Sequence, residues 1–466
     1  MGFFLLILYL TVSYLSPDQI YPELAQYRIV LCIAIAAGLA SIPLLLRLPS
    51  ILSVPQTTPL LGLVGAMMLS PLAHLWFGGV LFTLETFVPA LIVFFLTCIH
   101  VNSWNRLRIL ALVMSSIAFL FLGHALWDLY AGNLNSPYLF NMNLNTGLSR
   151  FSIVRIRAVG YLADPNDFGQ FLIVILPLFS LLRKNGRKIR NLGFVIVPSC
   201  LVIYGVYLTH SRGAMIALLV LAIFITRNRL PLPVSIGFGG MLYAGMMALG
   251  FTGGRDVSIA SGSDRIDLWG TGLHLFRLSP LWGVGYGKFG DYSVLTAHNS
   301  YILCLAEVGL IGYTCWLAAI VITILQLNSL ANPPMEPDQD QEKAVADPLA
   351  NIPFLANSPL HSNGMAPDTT DPHETTDDRE RVRRWANALR LSLIGFLVTA
   401  WFLSRTYTIT LYLLLGITAV LLRLVKDSPE QSKQRRRHWI RITLAAEFAT
   451  IVVVYAIVRL EGLFIH

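Results

Sequence analysis

Four short clusters of polar residues interrupt an otherwise apolar chain, and two of them carry side chains suited to chemistry. The segment THSRGAM contains Ser211 and Arg212, and the segment TAHNSY contains His298 and Asn299. Arginine stays charged and binds a phosphate group through two parallel hydrogen bonds. Histidine is neutral often enough near pH 7 to accept a proton from a hydroxyl group. These residue types predict a site that binds an anion and activates a hydroxyl, although each can also serve only as an interface anchor.

The other two clusters add polar side chains that could line the same site. In YLADPNDFGQF, Asp164 and Asn166 flank a proline, a pattern that is also typical of a helix start. In GSDRIDLWGTGLHLF, Arg265 stands near the start of a predicted amphipathic helix on the outer surface, either as an anion contact or as a solvated charge. The apolar positions of that helix recur at helical spacing, at Ile266, Trp269, Leu273 and Phe276.

A carboxylate lies deeper in the apolar run that follows His298. Glu307 comes nine residues later, about 13 Å along a helix. An intramembrane carboxylate suggests a functional site or a polar network. Nine residues place the two side chains on opposite faces of a helix, so we expect no direct contact between them. Gly309 and Gly312 follow, and we predict that they allow close helix packing.

The four clusters lie in a chain with the composition of an integral membrane protein. Of its 466 residues, 55% are hydrophobic and 13% are charged, whereas soluble proteins carry about 25% charged residues. Continuous apolar runs predict spanning helices and exclude a barrel, which would alternate in hydrophobicity. We predict an all-α polytopic bundle of about 12–13 spans, with an outer-face loop carrying amphipathic helices. The predicted spans are near 1–15, 29–46, 58–77, 79–99, 108–130, 167–182, 191–208, 213–226, 231–250, 299–326, 390–404, 407–422 and 439–459.

The basic residues predict how this bundle is oriented. The formal net charge of +8 comes mostly from short loops, which indicates membrane orientation and no nucleic-acid partner. Four basic segments fall on one side, which the positive-inside rule assigns to the cytoplasm: 183–190, 227–229, 379–390 and 423–438. The N-terminus is then cytoplasmic and the C-terminus is outside. The segments predicted to face outward are 131–166, 209–212, 251–298 and 404–406.

Three arginines in the outer loop 131–166 break this rule, namely Arg150, Arg155 and Arg157. One interpretation is that the more numerous basic residues of the other loops set the orientation despite these three arginines. The sharper interpretation is that these cations are kept outside to hold an anion.

The domain organisation follows from the same pattern. Residues 1–327 are predicted to form a transmembrane bundle whose active-site loops are 131–166 and 251–298. Residues 328–389 are rich in Pro, Asp, Asn and Thr and are predicted to be a disordered cytoplasmic loop. Residues 390–466 supply the last spans. No histidine, cysteine or acidic cluster has the spacing of metal ligands, so we expect no metal.

The polar clusters together resemble the O-antigen ligase and polymerase superfamily of bacterial envelope enzymes. The segments that carry the resemblance are DPNDFG, SRG, SPLWGVGYGKF and HNSYILCLAEVGLIG, in this order, and they extend it over roughly residues 30 to 425. The most specific element is His-Asn followed by Glu-x-Gly, whereas SRG alone would be weak. The long insertion at 328–389 and an extra C-terminal span depart from the plainest pattern, so the branch of the superfamily stays open.

The resemblance implies a multi-pass protein of the bacterial inner membrane with its active site on the periplasmic face. The implied donor is an undecaprenyl-diphosphate-linked glycan, and the acceptor is a hydroxyl group on a glycolipid, a glycan or a protein, with no cofactor. His298 would be the base on the acceptor, and Arg212 and Arg265 would hold the diphosphate. The remaining substrate-binding candidates are Asp164, Asn166, Ser211, Asn299, Glu307, Arg150, Arg155 and Arg157.

Two other classes of protein compete with this prediction. A transporter of inorganic carbon or another solute would place charges near the bilayer midplane, and Glu85, Glu307 and Glu447 could be interpreted in that way. A sensor or scaffold without chemistry gives no reason for the SRG and His-Asn elements to occur together. The gathering of polar residues at the outer face favours the glycosyltransferase.

Overall fold

The computed structural model describes residues 1–47, 53–145, 150–227, 229–251, 263–332, 372–425 and 438–464. Helices dominate because a membrane offers no water to satisfy backbone N–H and C=O groups, and a helix satisfies them within one segment. The predicted all-α polytopic class is confirmed. The α-helices are α1 (Gly2–Leu15), α2 (Pro17–Ile20), α3 (Ile29–Ser41), α4 (Thr57–Ala73), α5 (Gly78–Thr86), α6 (Val88–His100), α7 (Trp104–Tyr130), α8 (Pro165–Ile175), α9 (Lys188–Asn191), α10 (Val197–Leu208), α11 (Arg212–Arg227), α12 (Leu232–Ala248), α13 (Ser263–Leu278), α14 (Ser300–Ala331), α15 (Pro372–Ala400), α16 (Ile409–Leu424) and α17 (Trp439–Phe464).

Short irregular helices extend or connect these elements. The 3-10 segments are Pro22–Tyr27, Ile42–Arg47, Gly160–Leu162, Leu176–Leu182 and Phe289–Asp291, and a π-helical turn covers Leu192–Ile196. Two strands, β1 (Leu139–Asn145) and β2 (Arg150–Ile156), form an antiparallel hairpin in which Phe140 pairs with Arg155. This hairpin occupies the predicted outer loop 131–166, where no strand was predicted.

Fewer helices reach full spanning length than the 12–13 spans that were predicted. In the described part of the chain, seven helical segments are long and apolar enough, and a bent pair, α5 with α6, makes up to eight. Three apolar helices are shorter, namely α4, α12 and α16. α16 is buried along nearly its whole length, so it is surrounded by protein, and a short helix is tolerated there.

α14 is the central helix of the bundle, and it packs against α4, α13, α15 and α17. A Cβ atom built on Gly312 would lie 3.3 Å from the Cβ atom of Ala66 in α4. The prediction of close helix packing at Gly312 is therefore confirmed.

Gly309 has a different role from the one predicted. Its φ of 64° and ψ of −167° break α14, and the loop 279–289 docks on the break. The Leu310 N–H donates to the Pro280 carbonyl oxygen at 2.8 Å, and the Gly285 N–H donates to the Glu307 carbonyl oxygen at 3.0 Å. A Cβ atom on Gly309 would lie 2.4 Å from the Leu281 carbonyl oxygen, so glycine is needed for contact with this loop.

The predicted amphipathic helix is present as α13, but its apolar face is covered by protein. Trp269 and Leu273 pack in one cluster with Ile302 of α14 and Val454 of α17. The second and third turns of α13 are thereby held beside the start of α14.

The predicted disordered loop at 328–389 differs from the structure at both ends. Residues 328–331 belong to α14, and α15 begins at Pro372, well before the predicted span at 390. Residues 333–371 lie outside the described residues. The early start of α15 brings its charged first half into the fold, where Asp377 and Glu380 pair with Arg381 and Arg384.

Candidate functional site

Three helices begin with a side-chain cap at the same end of the bundle, which we call the site end. Asp164 Oδ1 accepts from the Asn166 N–H at 2.7 Å at the start of α8. Ser211 Oγ accepts from the Ala214 N–H at 3.4 Å at the start of α11. Asn299 Oδ1 accepts from the Tyr301 and Ile302 N–H groups at 2.9 and 3.1 Å at the start of α14. Helix N-termini carry partial positive charge, so the three starts together favour an anion.

Arg155 ties the hairpin to two of these helix starts. Its side chain is 4% exposed. Nε donates to the Thr209 carbonyl oxygen at 2.8 Å, and Nη2 donates to Asn166 Oδ1 at 2.9 Å. Asp164 Oδ1 in turn accepts from Asn166 Nδ2 at 2.8 Å. Burial lowers the pKa of Arg155 to about 10, and the nearby guanidinium groups act in the same direction while the Asp164 carboxylate opposes them.

Two further predicted arginines belong to the same electrostatic neighbourhood. Arg212 is the first residue of α11, and Arg265 lies in the first turn of α13. Burial, and then the charge of Arg212, lower the pKa of Arg265, while Asp164 acts in the opposite direction. At neutral pH all of these arginines remain charged, so they repel one another across the site end.

His298 lies beside this group of cations. Its side chain is half-buried, and burial together with the charges of Arg265 and Arg405 lowers its pKa below the ordinary value, while Asp164 opposes this. The imidazole is therefore neutral near pH 7 and can accept a proton. In the described part of the chain, no hydrogen bond engages its ring.

The backbone of His298 is strained. Its φ of 48° lies in the left-handed region, which costs a residue other than glycine about 1–3 kcal/mol. His210, which directly precedes the cap Ser211 of α11, has the same φ, but its Nδ1 lies 2.8 Å from the Phe251 carbonyl oxygen. The same left-handed conformation therefore precedes the caps of both α11 and α14.

Arg405 is a further arginine of the site end that was not among the predicted site residues. It lies in the turn between α15 and α16 and forms a two-fold ion pair with Asp167, whose side chain is 3% exposed. The backbone N–H of Arg405 donates to Ser300 Oγ at 2.8 Å. Arg405 therefore connects α8 with the start of α14. Burial disfavours the charged guanidinium, but the bonds to Asp167 more than offset this and raise the pKa of Arg405.

Two signals in the sequence could have identified this pair. An arginine in a short turn between two apolar segments is costly unless it is paired. Asp167 belongs to the DPNDFG segment, in which only Asp164 and Asn166 were predicted to line the site.

Not every predicted hairpin arginine reaches the site. Arg157 Nε donates to the Pro137 carbonyl oxygen at 2.9 Å, and its guanidinium lies over the Phe140 ring. These contacts stay within the hairpin. The backbone of Arg150 begins β2, and its side chain lies outside the described residues. Arg155 alone of the three is shown in contact with the helix starts.

Glu307 is turned toward the loop that docks on α14. It is 4% exposed, and its Oε1 accepts from the Phe289 N–H at 3.4 Å. Its carbonyl oxygen accepts from Ser70 Oγ at 3.0 Å. The contacts of Glu307 in the described residues therefore hold the loop 283–289. None of these contacts is with the caps Asn299 and Ser211.

The residues of the site end differ from a metal centre in their chemistry. They are arginines, a histidine, carboxamides and the carboxylates of Asp164 and Asp167, and within the described residues no three His, Cys, Asp or Glu side chains form a group that could hold a metal ion. The arrangement suits an anionic ligand beside a neutral base.

The fold and this site define a polytopic membrane protein that gathers four arginines and a histidine at one end of its helix bundle. Residues 194–317, roughly a quarter of the chain, match the O-antigen ligase family, which supports the O-antigen ligase and polymerase superfamily named from the sequence. Arg212, Arg265 and His298 lie within the matched region. No curated protein matches the chain.

Proposed function

We propose that the protein transfers a glycan from an undecaprenyl-diphosphate carrier to an acceptor hydroxyl group on the periplasmic face of the bacterial inner membrane. The match to the O-antigen ligase family supports a membrane glycosyltransferase of the ligase type. The observation that carries the proposal is the neutral His298 beside a group of charged arginines at three helix starts.

The arginines are suited to the diphosphate of the donor. Arg155, Arg212 and Arg265 disfavour one another's charge, and a bound diphosphate relieves that repulsion. As the anomeric bond breaks, negative charge develops on the leaving diphosphate, and fixed guanidinium groups stabilise it most in the transition state. Undecaprenyl diphosphate is released with the electron pair of the broken bond.

His298 is suited to the acceptor. Its neutral imidazole takes the proton of the acceptor hydroxyl while that oxygen attacks the anomeric carbon, which forms the new glycosidic bond. The proton passes later from His298 to solvent. The proposed reaction needs no nucleotide and no oxidant. Its acceptor is a glycolipid, a glycan or a protein.

The ends of the helices support the proposed periplasmic location. α7 runs from the basic residues near 108 toward the hairpin, and α8 with its 3-10 extension runs from Asp164 to the basic loop 183–190. The site end is therefore opposite the basic loops. The positive-inside rule assigns those loops to the cytoplasm and so assigns the site end to the periplasm.

The test is transfer by the purified protein from a lipid-diphosphate donor, without added nucleotide. We expect His298→Ala to lower the transfer rate at least a hundredfold, because general-base help is worth about a hundred- to ten-thousand-fold. Donor binding should persist because the arginines remain.

His274→Ala is the matched control, since His274 is exposed on α13, and it should transfer at the wild-type rate. Near wild-type transfer by His298→Ala would remove the base assignment. No transfer by the wild-type protein, together with solute flux in liposomes, would favour the transporter instead.

A further inference from the structure

A cavity of about 590 Å³ opens at the end of the bundle opposite the site. It is lined by α7, by the 3-10 segment Leu176–Leu182 with the loop after it, and by the first half of α15. Its wall contains six basic side chains, two acidic ones and an apolar group that includes Leu112, Leu178 and Trp385. None of the residues that line this cavity belongs to the site end.

Each of the three lining elements changes from charged to apolar in the same direction. α7 contributes Arg108 and, one turn deeper, Leu112, and α15 contributes Arg384 and then Trp385. The chain after α8 contributes Leu178 and then, as it leaves the bundle, Arg183. The cavity is therefore charged at its mouth and apolar inside, which is the polarity of one lipid molecule with its headgroup at the interface.

The mouth of the cavity contains more basic side chains than its two acidic side chains can pair with. The two lining acids are engaged within α15, because Asp377 pairs with Arg381 and Glu380 pairs with Arg384. In the described part of the chain, Arg108, Lys184 and Arg190 take part in no ion pair. Arg190 Nη1 is buried without a hydrogen-bond partner among the same residues. A buried guanidinium nitrogen without a hydrogen-bond partner is costly. The mouth of the cavity therefore favours a bound anion.

We infer that this cavity binds the phosphate headgroup of an anionic phospholipid, with the acyl chains along its apolar wall. An anionic headgroup fits better than a zwitterionic one, because both lining carboxylates are already paired and none is left for an ammonium group. α7 extends about 33 Å from Arg108 to the site end, so this lipid is held across the membrane from the glycan donor.

The test uses purified full-length protein in a non-ionic detergent, titrated with dioctanoyl phosphatidylglycerol and followed by native mass spectrometry. We expect saturable binding, and at least tenfold weaker binding of dioctanoyl phosphatidylcholine, which has the same chains and a compensated charge. Inorganic phosphate at the same concentration should not displace the lipid, because it cannot use the apolar wall.

The decisive variant is Arg108→Gln with Arg190→Gln, which should weaken phosphatidylglycerol binding at least tenfold. The matched control is Arg187→Gln with Arg227→Gln, which removes the same charge from exposed residues outside the cavity and should bind as the wild type does. Equal binding by the two double variants would overturn the inference, as would equal affinity for the two lipids.

Two other occupants give distinct results. Displacement of the lipid by inorganic phosphate would make the ligand a free anion. Lipid binding that appears only after residues 336–371 are deleted would make the acidic stretch of this chain the occupant. Either result would refute the lipid site in the intact protein.

Discussion

The histidine at the site end depends on its neighbours for its protonation state. Burial and the charges of Arg265 and Arg405 lower the pKa of His298, and Asp164 opposes them. In the proposed reaction, the cations beside the diphosphate therefore also keep the proposed base neutral. One set of arginines serves both substrates of the proposed reaction.

This coupling predicts a pH dependence of transfer. His298 must be neutral to act, so transfer is lost as pH falls through its pKa, and the acid limb of kcat/KM should lie below pH 6.5. Arg265→Gln removes a charge that lowers this pKa, so the limb should move to higher pH. The measurement is a pH profile of both proteins from pH 4.5 to 8.

The control is Arg277→Gln, at the other end of the same helix, which should leave the limb in place. An acid limb that stays where it is in Arg265→Gln would show that His298 does not sense this arginine.

At the scale of elements, the pair of Arg405 and Asp167 fixes where three helices meet. Arg405 binds α8 through Asp167 and binds the start of α14 through Ser300. Thr406 Oγ1 also donates to the Ser300 carbonyl oxygen at 2.8 Å. The turn before α16 is thus fastened one residue from the cap of α14 and two residues from His298.

We predict that Asp167→Asn lowers the thermal midpoint and the transfer rate strongly. Removing one partner of a fully buried ion pair costs about 3–5 kcal/mol, and the cost here is smaller because the Arg405 side chain that remains is 36% exposed and its charge is screened by solvent. Asp167→Asn combined with Arg405→Gln should recover part of the stability, because both charges are then absent. A thermal-unfolding double-mutant cycle measures this coupling, and additive losses in the cycle would show that the pair is not coupled.

The break in α14 yields a second prediction for an element. Gly309→Ala should reduce the amount of folded protein and its transfer activity, because the added Cβ atom would meet the backbone of Leu281 and Gly283 at 2.4 and 2.5 Å. Membrane levels and detergent-solubilised thermal stability are the measurements.

Gly240→Ala in α12 is the control, because a Cβ atom there has nothing within 4 Å. It should be neutral, or stabilising by about 1 kcal/mol through helix propensity. Equal stability of the two variants would mean that the docked loop moves to make room for the added Cβ atom without destabilising the protein.

At the scale of the whole molecule, the bundle separates two polar ends. Three paths of chain, through α7, through α8 with its extension, and through α15, join the basic end to the site end. The orientation of the molecule therefore decides the compartment in which transfer occurs.

We predict that the site end faces the periplasm. In a background without the five native cysteines, a membrane-impermeant thiol reagent should label His274→Cys in intact cells, because this position is exposed on α13. Asn185→Cys, in the exposed basic loop, should be labelled only after permeabilisation. The opposite pattern would reverse the orientation and place the proposed reaction in the cytoplasm.

The sequence by itself determined the membrane class, the helical architecture and most of the residues at the site end. Composition and continuous apolar runs are local properties, and lipid permits few alternatives to a helix. Asp164, Arg212, Arg265 and His298 were visible because each interrupts such a run. Gly309 was noticed as well, but its use for a docked loop was not, because helix and loop meet only in the folded chain.

Only the tertiary structure decided which polar residues share a site. Arg155 joins the helix starts and Arg157 does not, although only one residue separates them, because Arg157 follows the end of β2 and its guanidinium contacts Pro137 and Phe140 instead. Arg405 enters through an ion pair with Asp167 across 238 positions of sequence. Contacts at that separation depend on how the helices pack, and no periodicity within one segment encodes them.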